Sequence, residues 1–412
     1  MEDMIKRPNY LNKLVGWQGK NDVVKIITGI RRCGKSTLFK LYQKHLKQKG
    51  VLSEQIQDIN FEDAVNEKLL DWRVLHDSVK KNCTPDKMNY IFLGEIQNVP
   101  EFQKAVNSLR LSENIDLYLT GSNSRMLSGE LATLLSGRYV ETNMLPLSFK
   151  EYTSAYPFNA TTEKMFDDYL RNSSFPYAMR LTAENNPLLD KKNIWDREQI
   201  NMFLQGIYNT IILKDIVERK RISDVSRLQS VIKYMFDNIG NETSIRNIHN
   251  TMKSDGREVQ IPTIENYLEG LLDAFVLYKV GRYDIKGKKI LQTNAKYYLS
   301  DIGLRYFLLG REGDAGHILE NIVYLELLRR GYNVHVGKIN TKEVDFVAVK
   351  DGITEYYQVA DEIKTEKTQI REFSSLDMIS DHNPKFILTR EYPLENLKSG
   401  IKILNVLDWL LE

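Results

Sequence analysis

Short runs of apolar, often β-branched residues recur along the first 150 residues, and amphipathic stretches separate them. The runs predict strands at residues 23–28, 56–63, 90–93, 115–124 and 138–147. In the intervening stretches the residue pattern is helical. Strands that alternate with helices predict an α/β fold with a parallel sheet in three layers, whose ligands bind at the carboxyl ends of the strands.

The first apolar run leads into a glycine-rich phosphate-binding motif. Residues 29–36 read GIRRCGKS, and the helical stretch that follows ends at Gly50, so the motif GxxxxGKS has the strand and helix it requires. Glycines let backbone N–H groups turn inward around phosphate oxygens. The motif predicts that Lys35 contacts the phosphates of ATP and that Ser36 binds Mg²⁺. The expected nucleotide-binding residues are Gly29, Ile30, Arg31, Arg32, Cys33, Gly34, Lys35, Ser36, Thr37, Ser122 and Asn123.

The strand at residues 90–93 ends in an incomplete acidic pair. In a P-loop ATPase the first acid orients Mg²⁺ and the next glutamate polarises the attacking water. Here the pair is Gly94-Glu95, so Glu95 alone is the expected catalytic acid. Glycine is disfavoured inside a strand, which indicates that an aspartate was lost or removed. A natural loss, an engineered change and replacement by Glu62 or Asp63 all remain open.

Two other positions are candidates for contact with the nucleotide. The polar residues 120–123 close a predicted strand, where Ser122 and Asn123 either sense the γ phosphate or cap the next helix. Arg138 ends a helix just before the last strand. It either supplies a catalytic cation to the nucleotide of a neighbouring subunit or neutralises the carboxyl end of its own helix.

Composition narrows the class of protein only moderately. The chain has 412 residues, of which 42% are hydrophobic and 27% charged, and this size predicts two to four compact units. The formal net charge is +2, so contact with a polyanion requires a local patch. No apolar run is long enough to span a bilayer, which predicts a cytoplasmic protein without a membrane partner. Cys33 and Cys83 lack metal-ligand spacing and are expected to be packing residues.

Several segments, taken in order, resemble a known family. They are VVKIITGIRRCGKSTLF, YIFLGEIQNVPEFQKAVNSL, LYLTGSNSRML, LSGRYVETNMLPLSFKEY and ILKDIVERKRI. Together they resemble the bacterial and archaeal AAA-type ATPases that carry a C-terminal, restriction-endonuclease-like domain of unknown function. This resemblance implies an aspartate at the position of Gly94, which the chain lacks. It also implies a P-loop core at residues 1–160, a helical lid at 161–222, a winged helix at 223–310 and a nuclease-like α/β domain at 311–412.

The middle of the chain has the pattern of a lid followed by a winged helix. Residues 162–222 are helical by pattern, and residues 243–301 show the order helix, turn, helix and β-hairpin. A DNA-reading version carries basic or amide side chains on its second helix. The corresponding helix has Glu265, Asn266 and Glu269 instead, so base-specific reading is not expected.

The predicted hairpin is nevertheless basic. Its basic residues are Arg282, Lys286, Lys288, Lys289 and Lys296. Such a cluster suits contact with a nucleic-acid backbone without reading bases. Charge runs are usually solvated faces, so the sequence favours a purely structural or protein-contacting hairpin over this contact.

The last hundred residues resemble a nuclease core that has lost part of its catalytic pattern. Glu320 lies on a predicted helix and Asp345 near the start of a strand, as in the pattern of an acid, then Asp, then Glu-x-Lys. The last two positions are Gln358 and Ala360, so the lysine is missing unless Lys364 moves into the gap. The sequence favours a nuclease-like fold kept for binding or assembly, without nuclease activity.

These features predict an ATP-dependent switch or motor whose hydrolysis is weakened by Gly94. ATP and Mg²⁺ are the implied cofactors, and the expected partners are ATP or ADP, nonspecific DNA at the hairpin and further copies of the chain. A DNA-processing enzyme with a terminal nuclease is one alternative, and a non-hydrolysing ATP-binding scaffold is another.

Overall fold

The computed structural model divides the chain into two compact units. The first unit is Met1–Pro146 with Asp273–Phe275, and the second is Leu147–Leu272 with Val276–Glu412. The structure describes residues 4–124, 130–135, 137–156, 159–183, 194–311, 313–363, 365–391, 397–398 and 400–412.

The first unit is an α/β unit built on a five-stranded sheet. Its strands are β1 (Val24–Thr28), β2 (Ile56–Asn60), β3 (Asn89–Gly94), β4 (Ile115–Gly121) and β5 (Tyr139–Asn143). Its helices are α1 (Pro8–Gly16), α2 (Lys35–Gln48), α3 (Trp72–Lys81), α4 (Phe102–Arg110) and α5 (Glu130–Leu135). The strand order is β2-β3-β4-β1-β5, and every neighbouring pair is parallel, as predicted.

Burial explains why these strands form the centre of the unit. Every residue of β1, β3 and β4 is buried, which is typical of a parallel sheet covered on both faces. Apolar side chains of β3 and β4 pack with those of α4 in one core cluster. Because the strands are parallel, the carboxyl ends of β1, β3 and β4 lie along one edge, and Lys35, Glu95 and Ser122 follow those ends.

The second unit is helical in its first half and contains a mixed sheet. Its helices are α6 (Phe149–Ala155), α7 (Thr162–Asn172), α8 (Pro176–Ala183), α9 (Ile194–Thr210), α10 (Val225–Asp237), α11 (Ile245–Ser254), α12 (Ile261–Asp273), α13 (Ile302–Leu309), α14 (Ala315–Arg329), α15 (Glu366–Asp377) and α16 (Val406–Leu411). A π-helical segment, Ile211–Glu218, continues α9. The helical pattern at 162–222 is thus confirmed over its described part. The final residue of α12, Asp273, belongs to the first unit.

The sheet of the second unit joins two regions that the sequence had assigned to different domains. Its strands are β6 (Leu277–Asp284), β7 (Lys289–Leu299), β8 (Asn333–Ile339), β9 (Lys342–Lys350), β10 (Ile353–Ala360), β11 (Lys385–Thr389), β12 (Leu397–Lys398) and β13 (Ile401–Asn405). The order is β12-β13-β11-β10-β9-β8-β6-β7. Parallel pairing of β6 with β8 makes the predicted hairpin part of the C-terminal sheet. The boundaries at 160, 222 and 310 stay predictions.

Among the helices that the structure describes, none combines the length and the apolar character that crossing a membrane demands.

Candidate functional site

The phosphate loop follows β1 and runs into α2, and its glycines are required by local geometry. Gly29 has a φ of 145° and Gly34 a φ of 108°, values that L residues with a side chain rarely adopt. A Cβ atom added to Gly29 would lie 2.2 Å from the main-chain oxygen of Met144. Backbone conformation and close approach therefore both demand glycine at position 29.

Lys35, the first residue of α2, is buried at the centre of the site. Its Nζ donates to the carbonyl oxygens of Gly29 at 2.9 Å and Ile30 at 3.2 Å. It also donates to the hydroxyl of Ser122, which follows β4, at 2.9 Å, and lies 3.8 Å from Glu95 Oε1. The structure thus brings together Lys35, Ser122 and Glu95, as predicted from the ends of three strands.

Glu95 follows β3 and is held in an ionised state. Its N–H donates to Thr120 Oγ1 at 3.0 Å, and its carboxylate accepts from Gln97 Nε2 at 2.7 Å and Ser122 Oγ at 2.9 Å. Burial opposes ionisation, but the charge of Lys35 and these hydrogen bonds outweigh it and hold the pKa of Glu95 below its ordinary value. An ionised carboxylate can accept a hydrogen bond from a water molecule and polarise it.

Gly94, in contrast to Gly29, is not required by the backbone. It pairs with Asn60 across β2 and β3, and its φ lies outside the left-handed region. A Cβ atom added there would meet Asn60 Oδ1 at 3.5 Å and Asn60 Cα at 3.6 Å, which are ordinary contacts. The position therefore accepts the backbone and the first side-chain carbon of an aspartate.

The two acids proposed as substitutes for the missing aspartate have different surroundings. Glu62 Oε1 accepts from Arg31 Nη1 of the phosphate loop at 2.5 Å. Asp63 Oδ1 accepts from the N–H of Val65 at 3.1 Å and caps a turn after β2. Glu62 is thus the acid that contacts the loop, whereas Asp63 has a structural role.

The remaining predicted binding residues differ in accessibility. Arg32 and Ser36 are exposed and Thr37 is partly exposed, at the loop and in the first turn of α2. Cys33 and Asn123 are buried, and burial raises the pKa of the Cys33 thiol. Ser36 and Thr37 are therefore accessible hydroxyl groups, while Cys33 is a packing residue.

Arg7 supports the phosphate loop and was missed by the sequence analysis. Its Nη1 donates to the carbonyl oxygen of Cys33 at 3.0 Å, and its Nη2 donates to that of Leu145 at 2.7 Å. The side chain is buried and lies over the ring of Tyr10. It ties the loop to the segment after β5. An arginine before Pro8 in a polar N-terminal stretch carries no pattern that reveals this contact.

Arg138 lies at the edge of the sheet opposite to the phosphate loop. Its carbonyl oxygen accepts from the N–H of Val24 at 3.0 Å, and Val24 pairs with Tyr139. Arg138 therefore borders the start of β1, whereas the loop follows its end. Its side chain is exposed, so a role at the nucleotide of a neighbouring subunit stays a prediction.

The loop after β4 connects the site with the end of α12. Ser122 contacts Lys35 and Glu95, as described above, and Ser124 Oγ donates to Asp273 Oδ1 at 3.1 Å. Asp273 is the last residue of α12. The segment from Ser122 to Ser124 thus contacts the predicted phosphate-binding lysine at one end and Asp273 of the same unit at the other.

A second cluster of charged groups lies in the second unit, on β7, β9 and α14. Lys296 Nζ donates to Glu320 Oε1 at 2.8 Å and lies 2.7 Å from Glu343 Oε1. The hydroxyl of Tyr298 also donates to Glu320. Lys296 and Glu320 are each 5% exposed. Placing Lys296 in the basic cluster that contacts a nucleic-acid backbone was wrong, because its buried side chain is paired with Glu320 and Glu343.

Asp345 and Gln358 are neighbours in the same region. Asp345 Oδ2 accepts from the N–H of Val359 at 2.8 Å, and Gln358 Oε1 accepts from the N–H of Asp345 at 3.4 Å. Burial, together with the charge of Glu320, raises the pKa of Asp345. Ala360 is buried, and Lys364 lies outside the described residues. No three acidic, histidine or cysteine side chains of the described residues are arranged to hold a metal ion.

The tip of the hairpin keeps only part of its predicted basic cluster. Lys286, Lys288 and Lys289 are exposed. Arg282 donates to Glu242 Oε1 at 2.8 Å, and its side chain is 12% exposed. Three lysines therefore remain at the tip for contact with an anion.

Comparison with known proteins agrees with the P-loop ATPase class that the parallel sheet and the phosphate loop indicate. Residues 21–153 match the model of an AAA domain, and residues 187–315 match a domain of unknown function, DUF8612. The chain thus carries an AAA-type P-loop ATPase domain. A Walker-type ATPase of Pyrococcus abyssi is 14% identical, with 75% of this chain and 97% of that chain covered and a TM-score of 0.49. AMPPCP-bound DnaA of Aquifex aeolicus is 13% identical, with 64% and 86% covered and a TM-score of 0.34.

Two relatives place the chain in a family. An uncharacterised protein of Haemophilus influenzae is 40% identical over 414 residues, which cover 99% of both chains. An uncharacterised protein of Methanocaldococcus jannaschii is 31% identical over 362 residues, which cover 84% of this chain and 76% of the relative. The chain belongs to the same family as these two proteins.

Proposed function

We propose that this protein is an ATP-dependent molecular switch that hydrolyses ATP slowly. The observation that carries the proposal is the contact chain from Lys35 through Ser122 to Glu95 at the carboxyl ends of β1, β4 and β3. It links a phosphate-binding cation, a polar sensor and a base for water. Gly94 removes the acid that orients Mg²⁺, which explains why slow turnover is expected.

The residues of the loop fit a triphosphate with its metal ion. The Lys35 ammonium now lies on the carbonyl groups of Gly29 and Ile30, and in the complex it would donate to phosphate oxygens instead. Ser36, accessible at the start of α2, would bind Mg²⁺, and the partly exposed Thr37 would contact the nucleotide. When bound, Mg²⁺ supplies positive charge at the phosphates. Glu95 would then hold the attacking water.

The same contacts offer a route from nucleotide to conformation. A phosphate that draws Lys35 away from Ser122 breaks the hydrogen bond between these two residues. This loss changes the conformation of residues 122–124, and Ser124 of this segment bonds to Asp273, the last residue of α12. ATP and ADP differ in the group that competes for Lys35. They can therefore differ in their affinity for two conformations of the protein. A ligand shifts a conformational equilibrium only when its affinities for the two states differ.

We assign a binding role, without hydrolysis of DNA, to the C-terminal strands and the hairpin. Lys296 neutralises Glu320 and Glu343, so these acids already have a cation. The helix and hairpin order of α10 to β7 supports the winged-helix interpretation, and the exposed lysines at its tip suit nonspecific contact with phosphates. Supercoiled plasmid with Mg²⁺ should stay intact. A nick that disappears in Asp345→Ala would instead identify a nuclease.

Nucleotide binding tests the central proposal. The wild-type protein should bind a fluorescent ATP analogue, and Lys35→Ala should reduce its affinity by at least about tenfold, because the lysine contacts phosphate directly. Lys40→Ala, at an exposed position of α2, is the matched control and should bind like the wild type. Equal and negligible affinity of wild type and Lys35→Ala for every triphosphate contradicts the proposal. Duplex DNA that accelerates hydrolysis would favour the DNA-processing alternative.

A further inference from the structure

The second unit contains a cavity of about 140 Å³ beside α7, α13 and the start of α14. Part of its lining is apolar, and these side chains are Phe166, Leu170, Ile302, Ala315, Ile318 and Leu319. The charged residues of the lining are Asp167, Arg171, Arg305, Asp361 and Arg390. The lining thus combines an apolar surface with guanidinium and carboxylate groups.

The cavity lies where the sheet of this unit leaves room for a ligand. Asp361 directly follows β10 and Arg390 directly follows β11. These strands are parallel, and their last residues, Ala360 and Thr389, pair with each other. Ligands of open α/β sheets bind outside the carboxyl ends of parallel strands. Cavity and topology therefore indicate the same place independently.

The charged groups of the lining favour an anion. Three of them are arginines and two are aspartates, a net charge of +1. Arg390 lies above the ring of Phe166 and 3.9 Å from Asp167, beyond a normal hydrogen bond. Arg305 is buried, and its Nε donates to the carbonyl oxygen of Phe236 at 2.9 Å. Its terminal nitrogens contact the carbonyl of residue 311 only at 3.5 Å and Asp237 only at 3.6 Å.

We infer that this cavity binds a small carboxylate with an apolar body. An apolar cavity of about 150 Å³ holds benzene, so the ligand has about six to ten non-hydrogen atoms. Its body would pack on Phe166 and Ile302, and its carboxylate would accept from Arg390 and Arg305, since guanidinium groups match carboxylates geometrically. The site is separate from the phosphate loop and does not depend on the proposed ATPase function.

Benzoate is the probe, with benzyl alcohol and benzylamine as neutral and cationic controls of similar shape. Saturation-transfer NMR and titration calorimetry on the full chain should show benzoate binding with a Kd of about 1 mM or tighter. Benzylamine should bind at least about tenfold more weakly, because the lining is net positive. Arg390→Met should weaken benzoate binding by at least about tenfold, and Ala315→Leu should fill the cavity and abolish it.

Arg227→Met is the matched control, because Arg227 is a half-exposed arginine outside the cavity. It should bind benzoate like the wild type, and circular dichroism should show that all variants are folded. Should Ala315→Leu fail to fold, Arg390→Met alone decides. The inference is wrong if the wild type does not bind benzoate, if benzylamine binds equally well, or if Arg390→Met binds benzoate unchanged.

Discussion

Gly29 follows β1 and Gly94 ends β3, and the two glycines differ in whether their positions require the absence of a side chain. At Gly29 a side chain would collide with Met144 at 2.2 Å, whereas at Gly94 it would find ordinary contacts. Substitution at Gly29 is therefore excluded by sterics, while substitution at Gly94 tests chemistry alone. This difference makes Gly94 the informative position for the hydrolysis step.

Gly94→Asp should raise the rate of ATP hydrolysis by at least about tenfold with little change in ATP affinity. The carboxylate would restore the charge that orients the metal ion, and a charged group of this kind contributes strongly where charge develops in the reaction. Steady-state hydrolysis and nucleotide titration measure the two effects. Gly94→Asn, similar in size but uncharged, is the control and should stay slow. Equal rates for the wild type and Gly94→Asp would refute the lost-aspartate interpretation.

Glu95 should remain ionised across the physiological pH range. Its pKa lies below the ordinary value of glutamate, so the carboxylate is protonated only when the pH falls through this lowered value. The pH profile of kcat/KM, which reports the nucleotide-free protein, should therefore show no loss assignable to Glu95 between about pH 8 and pH 5. Glu95→Gln should abolish hydrolysis and keep ATP binding. A fall in the kcat/KM of the wild type with a midpoint near pH 6, if no other titrating group accounts for it, would contradict this assignment.

Residues of the site differ in how far the sequence could reveal them. Lys35, Ser122 and Glu95 follow predicted strands, so the rule that strand ends meet at one edge brought them together correctly. Arg7 contacts Leu145, which lies 138 residues away along the chain. The spacing of apolar and polar residues along the chain does not reveal such a contact. It does not reveal the burial of Lys296 either.

At the scale of secondary-structure elements, the hairpin β6–β7 is attached to the C-terminal strands in two ways. Main-chain pairing joins β6 to β8, and Lys296 of β7 contacts Glu320 of α14 and Glu343 of β9. The hairpin and the strand that contains Asp345 were predicted from the sequence, whereas β11, β12 and β13 were not. The order of the strands in the sheet was not predicted either, because pairing between distant strands depends on the tertiary fold rather than on local period.

Removing the cation of this cluster should destabilise the second unit. Lys296→Met leaves Glu320 buried without its ammonium partner, which costs about 3–5 kcal/mol in the free energy of unfolding. The double variant Lys296→Met with Glu320→Gln should recover part of this loss, because the buried charge is then gone. Urea unfolding measures both changes.

Lys289→Met, an exposed position at the start of the same strand, is the control for this stability prediction. It should change the free energy of unfolding by no more than about 0.5 kcal/mol. An equally small effect of Lys296→Met would show that the buried cluster contributes nothing to stability.

At the scale of the whole molecule, the predicted catalytic role of Arg138 depends on assembly. Within one chain it borders the start of β1, while Lys35 and Glu95 follow the ends of β1 and β3. A catalytic contribution of Arg138 therefore requires a second copy whose nucleotide meets the exposed side chain. A head-to-tail contact of this kind places different surfaces of the two copies together.

Mixing two inactive variants tests this arrangement. Arg138→Ala and Glu95→Gln should each hydrolyse ATP at least about tenfold more slowly than the wild type, because each lacks one half of a shared site. In an equal mixture, about one quarter of the contacts combine an intact Glu95 with an intact Arg138 from the neighbouring copy, so about one quarter of the wild-type activity should return.

Glu95→Gln mixed with a protein that carries both changes is the control and should stay inactive, because no contact then contains an intact Glu95. Recovery should also rise with protein concentration, since it depends on association. Full activity of Arg138→Ala alone, or no recovery in the mixture, would leave Arg138 with the role of neutralising the carboxyl end of α5.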